Sequence, residues 1–377
     1  MLLAEVGISV LIICKFSNKW TCTRKKEVEG LSCGFEVKKF FVGIDFSKRK
    51  MDVSIVEKDS PEQAIAYKQF ANNAEGAKEM CNWVERTTGS STKHDGEVLF
   101  CGEHTGSYCL EVCDYLSENG KYIWLGNPLD IKRSMGLVRG KDDVIDSRRI
   151  ATFAAEKHHK AVLYRRPEDS TRTLKYLLSI RNTLIEQKKA LSCQIKENLP
   201  VLHDAALLCK IETELKRALD FIKAEIKKIE KMMLDVILSN KEYKKTYDIL
   251  TSMKGVALIN AAAIIVFTDN FKRFSFNSRK ICTYWGITPF RNESGDSIRR
   301  GTHTSPIRNN WLKAILSEAV LCAIRYEKRM KEYFLRLIAK GKHRNVALNN
   351  TKNKLLKTLV AMVRDGKKFD ENYVSIP

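Results

Sequence analysis

The chain has 377 residues, of which 44% are hydrophobic and 29% charged, a globular composition that excludes a disordered chain. Its 66 Lys and Arg outnumber 45 Asp and Glu, and the formal net charge of +21 favours a polyanionic partner, most simply a nucleic acid. A basic surface without a bound partner is the alternative. The 11 cysteines form no Cys-x-x-Cys pair and no zinc-type spacing with His, so we expect reduced thiols.

An apolar run within the first 20 residues has no basic residues before it and no small-residue cleavage site. It is too short to span a bilayer, and no later segment is apolar enough to do so. We therefore interpret residues 1–38 as an extension of uncertain role and expect a soluble protein that does not enter a membrane.

Strand and helix patterns alternate between residues 39 and 165, which predicts an α/β domain. The expected strands are residues 40–47, 51–58, 65–72, 97–106 and 121–128. The expected helices are residues 72–87 and 107–120, followed by one that contains the acidic stretch RGKDDVIDSRRIA.

Apolar residues at helical spacing dominate residues 166–245, among many Lys and Glu. This pattern predicts a long antiparallel helical hairpin or coiled coil. It could act as a plain spacer, or it could support dimerisation or nucleic-acid binding.

Residues 246–377 read as a mainly α-helical domain interrupted by the Gly- and Ser-rich segment YWGITPFRNESGDSIRRGTHTS. Gly255 precedes a small, apolar helix, like the second half of a helix–hairpin–helix element. Backbone amides at such a turn can bind a DNA phosphate, and Lys254 beside it is a candidate contact. A plain helix start is the alternative.

Carboxylates close two predicted strands and lie on one predicted helix. Asp45 ends the first strand and Glu103 a later one, and neighbouring strands bring such residues to one edge of a sheet. Asp143 and Asp146 share a helix face, whereas Asp142 points about 100° away from Asp143. Four carboxylates from three elements can hold two Mg²⁺ (or Mn²⁺) ions, a chemistry suited to activating a nucleophile at a phosphodiester.

Each acid also has a structural alternative. Asp45 could cap a turn, Glu103 could pair with a lysine or with His104, and the helix acids could pair with Arg149. A phosphate cradle of the actin-like type competes for the first strand, although no later Gly-rich adenosine motif is visible.

The chain contains, in this order, the segments GIDFSKRKMDVSIVE, GEHTGSY, LGNPLDIKRS and GKDDVIDSRRIATFA. These segments resemble the N-terminal half of the DEDD transposases of the insertion sequence 110 family. SMKGVALINAAAII and YWGITPFRNESGDSIRRGTHTS are similar to their C-terminal part, and the helical middle to their coiled-coil spacer. The resemblance covers residues 40–368 in order and with matching spacing.

The resemblance implies a RuvC-like, ribonuclease-H-type fold for residues 39–165, with the acidic set on Asp45, Glu103, Asp143 and Asp146. It implies a DNA transposase or recombinase whose nucleophile is the serine of the SG element. That residue is Ser294 here, and Ser297 is a second candidate. The site would then be composite, with contributions from the first and last domains.

The resemblance also implies DNA and a guide RNA as partners, a homodimer or homotetramer, and a place with the nucleoid in a prokaryotic cytoplasm. The predicted nucleic-acid contacts are Arg148, Arg149, Lys254, Arg291, Arg299 and Arg300. The chain departs from the family where Asp142 replaces a Thr and Lys313 an Arg.

Two other functions fit the same residues. A structure-selective nuclease of the Holliday-junction type would use the acids alone and leave hydrolysed ends. A nucleic-acid-binding scaffold would carry the acids as structural groups and have no metal-dependent activity.

Overall fold

Residues 38–93, 96–134, 142–198, 205–294 and 298–372 are described in the computed structural model of the chain. The chain divides into two units, residues 1–166 and 167–377. The finer division predicted from the sequence, with boundaries near 38, 165 and 245, stays a prediction, since residue 245 lies inside the second unit.

The first unit is built on a five-stranded sheet. Its strands are β1 (Phe40–Phe46), β2 (Lys50–Glu57), β3 (Ser60–Ala71), β4 (Val98–Glu103) and β5 (Ile123–Gly126). Its helices are α1 (Ala74–Thr88), α2 (Leu110–Glu118), α3 (Pro128–Ser134) and α4 (Asp143–Lys157).

The strand order is β3-β2-β1-β4-β5. Strands β1, β2 and β3 pair in antiparallel fashion, whereas β4 lies parallel to β1 and β5 parallel to β4. Antiparallel neighbours need only short turns, while the parallel strands are joined through the helices α1 and α2. The α/β class is confirmed, and this mixed sheet fits the expected ribonuclease-H-type domain.

The two faces of the sheet bury different helices, because successive side chains of a strand point to opposite faces. Val42 and Ile44 of β1 join a core with Met80 of α1 and Leu116 of α2. On the other face, Phe41 packs in a core with residues of α4, including Ile150, Ala151 and Ala154. Asp45 follows the spacing of Phe41 and therefore lies on the face that α4 covers.

The second unit is mainly helical. Its helices are α5 (Asp169–Cys193), α6 (Ala205–Ser239), α7 (Lys241–Leu250), α8 (Leu258–Thr268), α9 (Ser278–Tyr284), α10 (Asn310–Tyr326), α11 (Lys328–Ala339) and α12 (Arg344–Arg364). A hairpin of β6 (Pro289–Ser294) and β7 (Ile298–Thr304) precedes α10. Across the described ranges, no helix has the length and apolar character that crossing a bilayer requires.

The helices α5 and α6 run antiparallel, as the helical pattern predicted. Nε of Arg181 lies 2.7 Å from Oε1 of Glu230 across the pair. At its base, Leu178 of α5 and Met233 of α6 share a buried core with Ile265 of α8. The pair therefore shares its core with the C-terminal helices, and the coiled-coil geometry stays a prediction.

Gly255 lies in the turn between α7 and α8 with a positive φ of 96°. A Cβ atom at this position would lie 2.5 Å from the carbonyl oxygen of Ala319 in α10. Close packing against α10 thus accounts for the glycine, and the helix–hairpin–helix interpretation stays a prediction.

Candidate active site

Three strand carboxylates lie on the face of the sheet that α4 covers. Asp45 of β1 is the direct cross-strand partner of Asp52 in β2, so their side chains share one face. On the other side of β1, Ile44 is in register with Gly102 of β4, which brings Glu103 to the same edge as Asp45. Acids at the ends of neighbouring strands were expected at one edge of the sheet, and Asp45 and Glu103 lie there.

The first turn of α4 carries the other two predicted acids, Asp143 and Asp146. The helix begins after Asp142, whose backbone is extended (φ −149°) and whose Oδ1 accepts a hydrogen bond from the backbone N–H of Val144 at 3.1 Å. Asp142 is exposed, and its carboxylate is occupied as the helix N-cap.

A glycine lets α4 approach the sheet closely. A Cβ atom at Gly43 would overlap the carbonyl oxygen of Ser147 and the backbone nitrogen of Ala151. Next to this contact, the hydroxyls of Ser54 in β2 and Ser147 lie 2.7 Å apart and are both buried. The backbone of α4 is therefore held against β1 and β2, and its first turn stays beside Asp45.

The surroundings of Asp45 shift the pKa of its carboxyl group strongly. Burial, the largest cause, raises the pKa of Asp45 from 3.8 to about 6. Repulsion from four other carboxylates adds to this shift; in decreasing order they belong to Asp146, Asp143, Glu103 and Asp52. The other three predicted acids therefore lie close enough to Asp45 to act on it electrostatically.

Lys50, at the start of β2, links the sheet to α4. Its Nζ lies 2.9 Å from Oδ2 of Asp143 and 3.3 Å from Oδ2 of Asp52. Hydrogen bonds to these two carboxylates raise the pKa of Lys50 above its ordinary value. One ammonium therefore offsets part of the negative charge of both acids.

Asp52 is a buried carboxylate with partners on the neighbouring strand. Its Oδ1 accepts hydrogen bonds from the Tyr67 hydroxyl at 2.5 Å and from Nε2 of Gln69 at 3.0 Å. Burial acts to raise the pKa of Asp52, but these hydrogen bonds and the Lys50 ammonium hold it below its ordinary value. The hydrogen bond that the Tyr67 hydroxyl donates to Asp52 is the largest cause that raises the pKa of Tyr67 to about 12.

The basic residues of α4 differ in their surroundings. Nη1 of Arg149 lies 2.9 Å from Oδ1 of Asp146, the ion pair that the sequence had offered as a structural alternative. Arg148 is exposed. Of the two predicted phosphate contacts, Arg149 is thus already engaged by an acid of the site.

The donor set suits a hard divalent cation, because its side chains offer carboxylate oxygens and Asp45 lacks a neutralising partner in the described ranges. Among the residues that the structure describes, however, no group of three or more His, Cys, Asp or Glu side chains converges closely enough to coordinate a metal ion. Asp143 and Asp146 are instead paired with cations of the protein itself.

The C-terminal candidates lie on the β6–β7 hairpin and on the turn before α8. Ser294 is the last residue of β6 and is in register with Ile298, while Arg299 is in register with Glu293. Arg291 is exposed on β6, and Arg300 belongs to β7. Ser297 lies outside the described residues.

Lys254 has an acidic partner, since its Nζ lies 2.5 Å from Oε1 of Glu371. Its predicted contact with nucleic acid would require this exposed ion pair to open.

Two residues of the site were not found by sequence reasoning. Lys50 lies in the turn between the first two predicted strands, and Asp52 lies between Met51 and Val53 in the second. The one available signal for Asp52 was a charged residue at a position that strand alternation directs to the same face as Asp45.

Comparisons with known families match both units. A family model for the DEDD type of IS110 protein, described as "Transposase", matches residues 42–203, and one described as "Transposase IS116/IS110/IS902 family" matches residues 247–335. The chain belongs to the IS110 family of transposases. The resemblance seen in the sequence is confirmed.

Relatives of this IS110-family chain include the pilin gene-inverting protein of Moraxella bovis, which is 22% identical over 338 residues, 88% of this chain and 98% of that protein. The insertion element IS110 uncharacterized 43.6 kDa protein of Streptomyces coelicolor is 30% identical over 118 residues, 31% of this chain and 29% of that protein. Among solved structures, T. thermophilus RuvC in complex with a Holliday junction substrate is 10% identical and matches 33% of this chain and 99% of its own, with a TM-score of 0.25.

Proposed function

We propose that this IS110-family protein is a DNA recombinase that cuts and rejoins the DNA of an insertion sequence. The observation that carries the proposal is the surroundings of Asp45, a strand-end acid grouped with Glu103 of β4 and with Asp143 and Asp146 of α4. An acid whose pKa is raised by several neighbouring carboxylates is typical of catalytic sites that use metal ions. The pilin gene-inverting relative, whose name describes a DNA rearrangement, supports recombination as the outcome.

The four acids, Asp45, Glu103, Asp143 and Asp146, are proposed to bind Mg²⁺ or Mn²⁺. Bound there, the metal would neutralise and polarise the scissile phosphate. Binding of the metal by Asp143 and Asp146 would break the ion pairs that these acids form with Lys50 and Arg149.

Ser294 is proposed as the nucleophile. Its Oγ attacks phosphorus, an Oγ–P bond forms, and the bond from phosphorus to the leaving strand oxygen breaks with its electron pair. The serine proton passes through solvent to that oxygen. The phosphoserine bond conserves the energy of the broken phosphodiester, and attack by a strand hydroxyl in the reverse sense rejoins the DNA.

The protein is further proposed to bind a guide RNA and to act as a homodimer or homotetramer. Both parts of the proposal rest on the family resemblance alone. The net charge of +21 suits two nucleic-acid partners. The residues proposed to contact them are Arg148, Arg149, Lys254, Arg291, Arg299 and Arg300.

Trapping of a covalent protein–DNA species tests the nucleophile. Labelled DNA carrying the ends of the element is incubated with protein and Mg²⁺, and adducts are resolved on a denaturing gel. We expect wild type and Ser305→Ala to form the adduct and Ser294→Ala to bind DNA without forming it. Ser305 is the matched control, because within the described ranges its hydroxyl makes one hydrogen bond, which it accepts from the N–H of Ile307 in the same turn.

Other outcomes of this experiment distinguish the alternative functions. An adduct that persists in Ser294→Ala and is lost in Ser297→Ala assigns the attack to Ser297. Hydrolysed ends without an adduct, unchanged in Ser294→Ala, indicate a nuclease. DNA binding without metal-dependent cleavage in any variant indicates a scaffold.

Binding of Mn²⁺, followed by electron paramagnetic resonance of the free ion, tests the metal site without requiring activity. Asp45→Asn is expected to weaken binding at least tenfold, whereas Asp130→Asn, which alters an exposed acid of α3, leaves it unchanged. Equal binding by both variants would show that Asp45 is not a ligand.

A further inference from the structure

A hydroxyl at the base of the β6–β7 hairpin is shared by two cations. Nη1 of Arg308 lies 3.3 Å and Nζ of Lys313 lies 3.2 Å from Oγ1 of Thr304, the last residue of β7. Thr304 is in register with Pro289, the first residue of β6. The guanidinium and the ammonium are therefore held next to each other although both are positive.

The position of Arg308 is fixed by contacts along its whole length. Its aliphatic stem covers Gly286, which has a positive φ of 66° and leaves no room there for a side chain. Nε donates to Oδ1 of Asn310 at 3.0 Å, and Nη1 donates to the carbonyl oxygen of Ser305 at 3.0 Å. The guanidinium is thus ordered before any ligand arrives.

Helix α12 adds a third cation, Lys352. Asn349 and Asn353 each donate a hydrogen bond of 2.8 Å to the carbonyl oxygen of Ile287, which follows Gly286 in the chain. Lys352 lies between these two anchors and is half-buried. Burial first, and repulsion from Lys313 and Arg308 second, lower the pKa of Lys352 below its ordinary value.

None of these three cations has an ion pair with a carboxylate in the described ranges of the chain. Burial also lowers the pKa of Lys313, and the charge of Arg308 adds to the effect. Like charges held together in a partly buried place cost stability, and an anion with several oxygens would remove that cost. A planar guanidinium flanked by ammonium groups matches the oxygens of a phosphate.

We propose that Arg308, Lys313 and Lys352 form a binding site for one phosphate group of the DNA backbone, at the base of the β6–β7 hairpin. The choice of DNA rests on the proposed function, in which Ser294 at the other end of β6 attacks a DNA strand. Five strand positions separate Pro289 from Ser294, which is about 17 Å, or roughly five base pairs of duplex. The site would therefore hold the substrate strand a few nucleotides from the bond that is cut.

Fluorescence anisotropy with the full-length protein in EDTA tests binding without chemistry. The probes are a labelled 30-base-pair DNA duplex and an RNA duplex of the same sequence, each titrated over a range of NaCl concentrations. The test variant is Lys352→Gln and the control is Lys357→Gln, which removes one exposed charge from the same helix.

We expect Lys352→Gln to weaken DNA binding by about tenfold and to lower the slope of log affinity against log salt by about one. Lys357→Gln should change affinity less than twofold. Urea unfolding supplies a second readout: Lys352→Gln should be at least as stable as wild type, because it removes repulsion. A merely structural lysine would instead lose stability.

Equal DNA binding by the two variants would overturn the proposal. A loss confined to the RNA duplex would overturn the assignment to DNA and place the phosphate in RNA. Because the assay contains no metal and requires no cleavage, it remains valid if Ser294 proves not to be the nucleophile. Failure of this site and failure of the proposed chemistry are thus distinguished.

Discussion

Nζ of Lys50 lies 2.9 Å from Oδ2 of Asp143, an ion pair that joins strand β2 to the first turn of helix α4. The same ammonium lies 3.3 Å from Oδ2 of buried Asp52. Lys50 therefore offsets two negative charges that would otherwise face each other across the candidate active site.

Replacing Lys50 with Met should destabilise the first unit at pH 7. Asp52 would remain buried without the ammonium that helps to hold its pKa below the ordinary value, so we expect a lower urea midpoint than in wild type. The stability that accompanies a lowered pKa is present above the ordinary Asp pKa of 3.8 and is lost as pH falls through the lower folded pKa of Asp52, so the difference should shrink below that value. Lys48→Met, on the exposed turn before β2, is the control. A pH-independent difference would contradict the electrostatic role of Lys50.

Asp45 has the opposite pH dependence. Its pKa is raised from 3.8 to about 6, so the folded state is favoured while Asp45 is protonated, and that contribution is lost as pH rises from about 4 to about 6. A shift of this size corresponds to about 3 kcal/mol, reduced to about 1–2 kcal/mol by screening at a partly exposed site. In metal-free buffer, Asp45→Asn should therefore be more stable than wild type at pH 7 by that amount and equal to it near pH 4. Urea titrations at both pH values measure this, and an Asn variant less stable than wild type at pH 7 would refute it.

Asp142 should tolerate replacement by Thr. Its observed contribution is the N-cap of α4, and a threonine hydroxyl can accept the same hydrogen bond from Val144. We expect Asp142→Thr to keep recombination activity and Asp142→Ala to lose about 1 kcal/mol of stability. Activity and urea unfolding should be measured on the same preparations. Loss of activity in Asp142→Thr with stability intact would indicate that this carboxylate takes part in the chemistry.

Gly43 should not accept even a methyl group. A Cβ there overlaps backbone atoms of Ser147 and Ala151, whereas a Cβ at Gly102 meets only the ring of Phe46. A side chain can rotate away and a helix backbone cannot, so Gly43→Ala should cost about 3 kcal/mol and Gly102→Ala clearly less. Thermal unfolding ranks the two variants, and an equal cost would show that α4 can move away from β1.

Local patterns were sufficient to predict much of the first unit. The apolar run FFVGIDF predicted a buried strand, and the period of two of a strand places Phe41, Gly43 and Asp45 on one face. The strand ends marked Asp45 and Glu103, and helical periodicity put Asp143 and Asp146 together. Strand β3 begins at Ser60, five residues earlier than its predicted start, because its exposed first half lacks an apolar signal.

Contacts between distant segments could not be predicted in the same way. Lys50 and Asp143 are 93 residues apart, and no local pattern encodes their meeting. Tyr67 and Gln69, which donate hydrogen bonds to Asp52, lie on β3, so these contacts depend on strand pairing rather than on neighbours in sequence. The capping role of Asp142 could have been predicted, because an Asp immediately before a helix is a signal for the start of that helix.

The direct pairing of Asp45 with Asp52 across two central strands has a consequence for anyone who engineers this protein. Like charges at facing positions oppose the folding of the sheet that carries them. Substitutions that neutralise Asp45 should therefore be enriched by any selection for heat resistance, and the most stable variants recovered should be those that no longer recombine DNA. A selection for stability must therefore be combined with a screen for activity. Selection for stability alone favours a neutral side chain at position 45, whereas activity favours the carboxylate.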